Sequence, residues 1–175
     1  MLLVREVQAL AGNLSNEDFR RQVGPFALVR RPPDPVVERV SVRLGVQRTK
    51  LSRSSADAKV LMAELMQHLD DLVVATLPPI HGSEELMVGR LPDCDLVVDD
   101  PSVSKRHAVL RWDNVARRCT LVDLGSRNGT MINGDYVRDP NTMVCDGDML
   151  SFGDAEFCFL ENHTLLSMLR NSQNS

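Results

Sequence analysis

Three short polar motifs stand at the edges of apolar runs: Gly89-Arg90, Ser104-Lys105-Arg106-His107 and Ser126-Arg127-Asn128-Gly129-Thr130. They place a guanidinium, hydroxyls, an ammonium and a carboxamide at strand-to-loop junctions. Folded together, such groups would bind an oxyanion, and a phosphate carried on a peptide suits them best. The same set holds no obvious means of breaking a bond. The chain also lacks a phosphate-cradling P-loop, a G-x-S-x-G elbow, an H-E-x-x-H pair and a kinase signature. It reads as a binding protein rather than an enzyme, with no cofactor expected.

The elements that must position these motifs follow from periodicity. After Asp70-Asp71 the pattern predicts short strands over 72–77, 85–89, 95–98, 108–112, 120–123, 131–132, 136–137, 149–152 and 156–160. Gly, Pro, Asn and Asp clusters separate them, which is the signature of a β-sandwich or barrel. Asn133-Gly134 is the pair preferred in a type I′ hairpin, because both residues accept positive φ. Asp146-Gly147-Asp148 reads as a second tight turn. Residues 164–170, with Leu165, Leu166, Met168 and Leu169, predict a short C-terminal helix.

Upstream, Leu2, Leu3, Val7 and Leu10 have mainly helical spacing, with Gly12 as a stop. Ser15-Asn16-Glu17-Asp18 predicts a helix start and a short helix through about Val23. Pro32-Pro33-Asp34-Pro35 breaks anything helical, and residues 36–46 alternate as an extended segment would. Residues 49–55 are polar, basic and serine-rich, as in a linker, and their Thr49 is a candidate for a basophilic kinase. Ala58, Leu61, Leu65, Leu69 and Leu72 then share one face of an amphipathic helix. The expected organisation is a basic N-terminal region over 1–55, this helix over 56–71, a β-domain over 72–162 and a tail over 163–175.

Charge is divided along the chain. Residues 1–55 carry ten Lys/Arg against five Asp/Glu, a net of +5, whereas residues 56–175 carry a net of −9. A basic front can mark a nucleic-acid arm, but no helix-turn-helix pattern accompanies it. Aromatics at 4% also argue against a base-stacking platform. Cys94, Cys119, Cys145 and Cys158 form no C-x-x-C pair and have no zinc-ligand spacing, so reduced thiols and no metal site are expected. No run approaches the ~20 apolar residues of a membrane span. A cytoplasmic protein without membrane contact is expected.

From about Asp70 to Asn162 the chain resembles a forkhead-associated (FHA) domain, the phosphothreonine-binding β-sandwich. The resemblance rests on Gly89-Arg90, Ser104-x-x-His107, Asn128-Gly129, Asn133-Gly134 and Asp146-Gly147-Asp148, in the family's order. It implies an eleven-stranded all-β sandwich with its binding loops at one end, here preceded by a mostly helical region and followed by a short helix.

The resemblance also implies roles. Arg90, whose planar fork can hold two phosphate oxygens, and Ser104 are implied phosphate ligands. Lys105 is a second cation, and Arg127 stands where many members carry a phosphate-holding Thr. Asn128 and Ser126 would meet the peptide. Gly89, His107 and Gly129 would brace the loops, with His107 neither catalytic nor touching phosphate. Arg106 has the opposite strand parity and is expected to face elsewhere. Asp93, Asp95, Asp99 and Asp100 would favour peptides with basic flanks.

The function implied is that of a phosphothreonine-peptide-binding adaptor in Ser/Thr-kinase signalling. Its partners would be a Thr-phosphorylated protein and a Ser/Thr kinase or its substrate, with self-association through the N-terminal helices. The alternatives are a phosphate-independent scaffold of the same fold, and a nucleic-acid-binding regulator using the basic N-terminal region.

Overall fold

The computed structural model describes residues 2–30, 73–76 and 84–172. The expected extended segment over 36–46, the linker with Thr49 and the amphipathic helix over 56–71 lie outside the described residues. The elements run β1 (Leu2–Leu3), α1 (Val4–Asn13), α2 (Asn16–Val23), β2 (Phe26–Arg30) and β3 (Val73–Thr76). Then come β4 (Glu85–Gly89), β5 (Leu96–Val97), β6 (Ala108–Asp113), β7 (Arg118–Asp123) and β8 (Thr130–Ile132). The chain ends with β9 (Asp135–Tyr136), β10 (Thr142–Val144), β11 (Met149–Phe152), β12 (Ala155–Glu161) and α3 (Asn162–Ser172).

Two sheets face each other, in the orders β1-β3-β2-β12-β11-β8-β9 and β10-β7-β6-β4-β5. Every pairing is antiparallel except β4 with β5. Between residues 72 and 162 there are ten strands, five in each sheet, where eleven were expected. The larger sheet is completed from upstream by β1 and by β2, which lies between β3 and β12. Residues 26–30 thus belong to the sandwich although they fall within the N-terminal region expected over 1–55. Phe26-Ala27-Leu28-Val29 is apolar throughout, so no alternation marks it as a strand.

The reason for that composition is burial on both faces. Phe26 and Leu28 enter the core between the sheets, beside Phe157, Phe159, Leu110, Leu121 and Trp112. Ala27 and Val29 point the other way, into a second cluster with Cys158, Leu160, Phe19, Val23 and Leu165. The helices α1, α2 and α3 therefore form a third layer on the outer face of the larger sheet. All five phenylalanines are fully buried or nearly so, each contributing about 1.5–3 kcal/mol by leaving water. Burial pushes the Cys119 and Cys158 thiols up to about 12, so these two behave as small hydrophobes.

The local signals at the helix and turn positions are physical ones. Ser15 caps α2, its Oγ accepting from the Asp18 N–H at 3.2 Å. Asn133 (φ 52°) and Gly134 (φ 93°) turn the β8–β9 hairpin, whose flanking pair is Ile132 and Asp135. Asp148 closes the second turn by accepting from Cys145 N–H and from the Asn133 amide. Among the described residues, no helix is long and apolar enough to cross a membrane.

Candidate functional site

The three polar motifs meet at one end of the sandwich, at the ends of β4 and β7 and the starts of β6 and β8. Gly89 ends β4 where no side chain fits: a Cβ there would strike the Lys105 carbonyl, Cys94 Sγ at 2.8 Å and the Arg106 backbone. That close approach lets the next residue bond across the gap. The Arg90 N–H donates to the carbonyls of Ser104 and Lys105, at 3.0 and 3.1 Å. Its Nε donates to the Val103 carbonyl at 3.3 Å, which anchors the stem of an otherwise exposed side chain.

His107 is completely buried and links two loops. Nδ1 accepts from the Ser104 N–H at 3.0 Å. The proton must therefore sit on Nε2, which donates to the Gly129 carbonyl at 3.2 Å. That carbonyl also receives the Gly153 N–H at 3.2 Å. The imidazole sets the loop before β6 against the start of β8. Gly129 (φ 79°) takes the left-handed conformation, with the Tyr136 ring lying where a Cβ would be.

Cross-links of the same kind tie the third motif to the second. Ser104 Oγ accepts from the Arg127 N–H at 2.9 Å, and its own hydroxyl proton remains available to a ligand. Asn128 Nδ2 donates to the Ser102 carbonyl at 2.8 Å, which orients its Oδ1 as an acceptor at an exposed position. Ser102 is itself held by Asp100 and by the Asp154 N–H, so the turn between β11 and β12 joins the same cluster. Among the described residues, no buried side-chain nitrogen or oxygen lacks a partner.

Electrostatics divides the cations. Arg106 pairs with Asp93 at 2.5 Å, a contact that raises its already high pKa. Arg90, Lys105 and Arg127 are all exposed, and none forms an ion pair among the described residues. Among the described residues, three cations without a carboxylate partner thus stand on three loops, after β4, before β6 and between β7 and β8, all cross-linked through Ser104. Of the acidic neighbours, Asp95 accepts from the Met87 N–H and Asp100 is engaged by Ser102, so both carboxylates also hold the backbone.

Ser126, half-buried, donates its hydroxyl to Asp123 Oδ1 at 2.6 Å. Asp123 itself was not singled out by the sequence reading. Burial raises the Asp123 pKa, but hydrogen bonds from Ser126, Thr130 and the Gly125 N–H outweigh it and hold the carboxyl below its ordinary value. The signal was present as Asp123-Leu124-Gly125-Ser126, since an Asp side chain readily bonds backbone two residues on.

Comparison with known proteins places these motifs in a family. The FHA-domain model matches residues 86–153. The oxoglutarate dehydrogenase inhibitor of Corynebacterium jeikeium is 33% identical over 137 residues, covering 73% of this chain and 91% of the relative. The glycogen accumulation regulator GarA of Mycobacterium tuberculosis is 36% identical over 95 residues, covering 51% of this chain. The match spans only 56% of GarA. A solved FHA structure, described in work on phosphothreonine-dependent FHA domain interactions, aligns at 30% identity and a TM-score of 0.44. It covers 50% of this chain and 83% of that one. With one relative matched over 91% of its length and the expected motifs gathered on the loops of a β-sandwich, the chain belongs to the FHA-domain family.

Proposed function

We propose that the protein is a phosphothreonine-peptide-binding adaptor acting in Ser/Thr-kinase signalling in the cytoplasm. In this reading Arg90, Ser104 and Lys105 hold the phosphate, Arg127 adds positive charge at its edge, and Asn128 Oδ1 accepts a peptide N–H. Ser126 is assigned to bracing the loop rather than to the peptide. The observation that carries the reading is that, among the described residues, Arg90, Lys105 and Arg127 form no ion pair at the end where the three motifs meet, whereas Arg106 beside them is neutralised by Asp93.

The physical account is differential. A doubly ionised phosphate gains charge-assisted hydrogen bonds from Arg90 and Ser104 worth about 1.5–3 kcal/mol each. Without it the ligand meets an exposed, shallow loop surface. Affinity is therefore micromolar in class, on the order of 8 kcal/mol, and is lost on dephosphorylation. A regulator that acts by binding is also what the names of the two relatives support, one an inhibitor and one a regulator.

The partner is accordingly a Thr-phosphorylated protein, brought to the site by a Ser/Thr kinase that modifies it. The N-terminal helices bury their apolar faces within the chain, with Val7, Ala11, Phe19 and Val23 at 0–2% exposure. Self-association then falls to surfaces other than those faces. The test is a phosphothreonine peptide array read with the wild type and with Arg90→Ala. Binding of phosphorylated spots by the wild type alone supports the reading. Equal binding of unphosphorylated peptides overturns it in favour of a phosphate-independent scaffold.

A further inference from the structure

Asp123 ends β7 just before the loop that carries Arg127 and Asn128. Its Oδ2 accepts from the N–H groups of Gly125 and Ser126, both at 3.0 Å. Its Oδ1 accepts from Ser126 Oγ at 2.6 Å and from Thr130 Oγ1 at 2.5 Å. One carboxylate thus joins the two ends of the loop, because Thr130 opens β8 and is buried opposite Phe152. With Leu124 N–H on the His107 carbonyl and Arg127 N–H on Ser104 Oγ, four consecutive loop amides are bound.

Packing does not hold the turn at Gly125. Gly125 adopts φ +74°, and a Cβ built on it would meet nothing within 4 Å. With no wall around it, the conformation rests on the hydrogen bonds it makes. An ionised carboxylate only accepts hydrogen bonds, so Asp123 cannot contact a phosphate favourably and must act through the loop.

We propose that Asp123 is a positioning residue, which presets the Ser126–Asn128 loop so that Arg127 and Asn128 meet the phosphopeptide already ordered. The assignment rests on the phosphopeptide reading above. Its energetic basis is the cost of ordering a free loop, about 1–2 kcal/mol per residue, which the preset loop does not incur on binding.

The chemistry of the carboxylate also predicts which substitution rescues. In Asp123→Asn the amide oxygen can still accept the Gly125 and Ser126 N–H groups. Its NH2 can donate to the Ser126 and Thr130 hydroxyl oxygens, which reverse their roles. Asp123→Ala can do neither, and Asp123→Glu keeps the charge but displaces it by one methylene.

The test is calorimetric titration with a phosphothreonine peptide chosen from the array, on the full chain. Relative to wild type, D123A is expected to bind at least about tenfold more weakly while still folded at the assay temperature. D123E should weaken binding by about fivefold or more, and D123N should stay within about threefold. Should D123A fail to fold, D123E against D123N decides, because charge alone would favour D123E. Unchanged binding by D123A or D123E, or D123N binding as weakly as D123A, overturns the assignment.

Amide exchange at Gly125, Ser126 and Arg127 reads the same loop without ligand. Protection in the wild type and in D123N, with loss in D123A or D123E, supports the preset loop. Unprotected wild-type amides overturn it. A wild type with protected amides that binds no phosphopeptide overturns the phosphopeptide reading instead.

Discussion

Arg170 and Arg90 are the same residue type in two regions of the molecule, the helical layer and the loop end, and they meet opposite fates. Arg170 lies in α3, where its guanidinium is taken up entirely by the α1–α2 corner. Nε donates to the Ala11 carbonyl at 3.3 Å, one terminal nitrogen to Asn16 Oδ1 at 2.9 Å and the other to the Leu14 carbonyl at 3.1 Å. Among the described residues, the Arg90 guanidinium is held only at Nε. The helical layer uses its polar groups to close itself, while the loop end uses backbone links to hold its cations open. The difference teaches that rigidity and ligand capacity are supplied by different groups. In the helical layer side chains give rigidity, and in the loops His107, Asp123 and the main chain do.

The comparison breaks most visibly where the helical layer is hollowed out. Phe19→Ala removes a fully buried ring from the cluster between α1, α2, α3 and the larger sheet. A loss of about 3–5 kcal/mol in unfolding free energy is expected, measured by urea titration. Phosphopeptide affinity of the folded fraction should not change, because the cluster contributes nothing to the loops. If affinity fell in step with stability, the two regions would not be independent. Arg90→Ala is the mirror experiment. It should weaken phosphopeptide binding by about 100-fold, as loss of a charged hydrogen-bond pair implies, with the urea midpoint nearly unmoved.

The same division explains what could be read from the sequence. Asn133-Gly134, the Ser15 cap and the alternating strands were legible because each is decided by residues within a few positions of one another. Phe26–Arg30 was not, since its strand character depends on β12 and β3, more than forty residues away, and burial on both faces erases the alternation. The three-residue β10 was missed as well: Thr142–Val144 is set by its pairing with β7, which the local sequence does not show. At the site, Arg90, Ser104, Lys105 and Asn128 were visible as chemistry at motif spacing. Asp123 carried only a local turn signal, because two of its partners are backbone amides and its link to Thr130 across the loop appears only in the fold. Ser126 was visible but its direction was not, since only the fold shows that its hydroxyl faces Asp123.

A smaller effect sharpens the loop side of the comparison through pH. The Asp123 carboxyl is held below its ordinary value by donors that outweigh its burial. A carboxyl depressed in the folded state contributes stability that is present above the unfolded value, near 3.9, and is lost as pH falls through the folded one. Wild type should therefore lose stability between pH 5 and acid more steeply than Asp123→Asn, measured as urea midpoints across that range. Equal slopes would mean that the four hydrogen bonds do not stabilise the ionised form.

The smallest expected effect concerns Arg127, which stands where many FHA domains carry Thr. The structure separates its backbone from its side chain: the N–H is fixed on Ser104 Oγ at 2.9 Å, and the side chain is exposed, with no ion pair among the described residues. The backbone link survives any substitution that keeps the loop, so Arg127→Thr should not disturb the position of Ser104. What it removes is a cation at the edge of the site, where screening limits exposed charges to about 0.2–1 kcal/mol; the new hydroxyl can replace part of that with a hydrogen bond. Affinity for a phosphothreonine peptide should thus change by less than about fivefold at physiological ionic strength. Its dependence on salt should become shallower, because one fewer charge is screened. Titrations at low and high salt read both quantities at once. A large loss with an unchanged salt slope would place the Arg127 side chain in direct contact with the phosphate, and would make the third motif a ligand in its own right rather than a held edge.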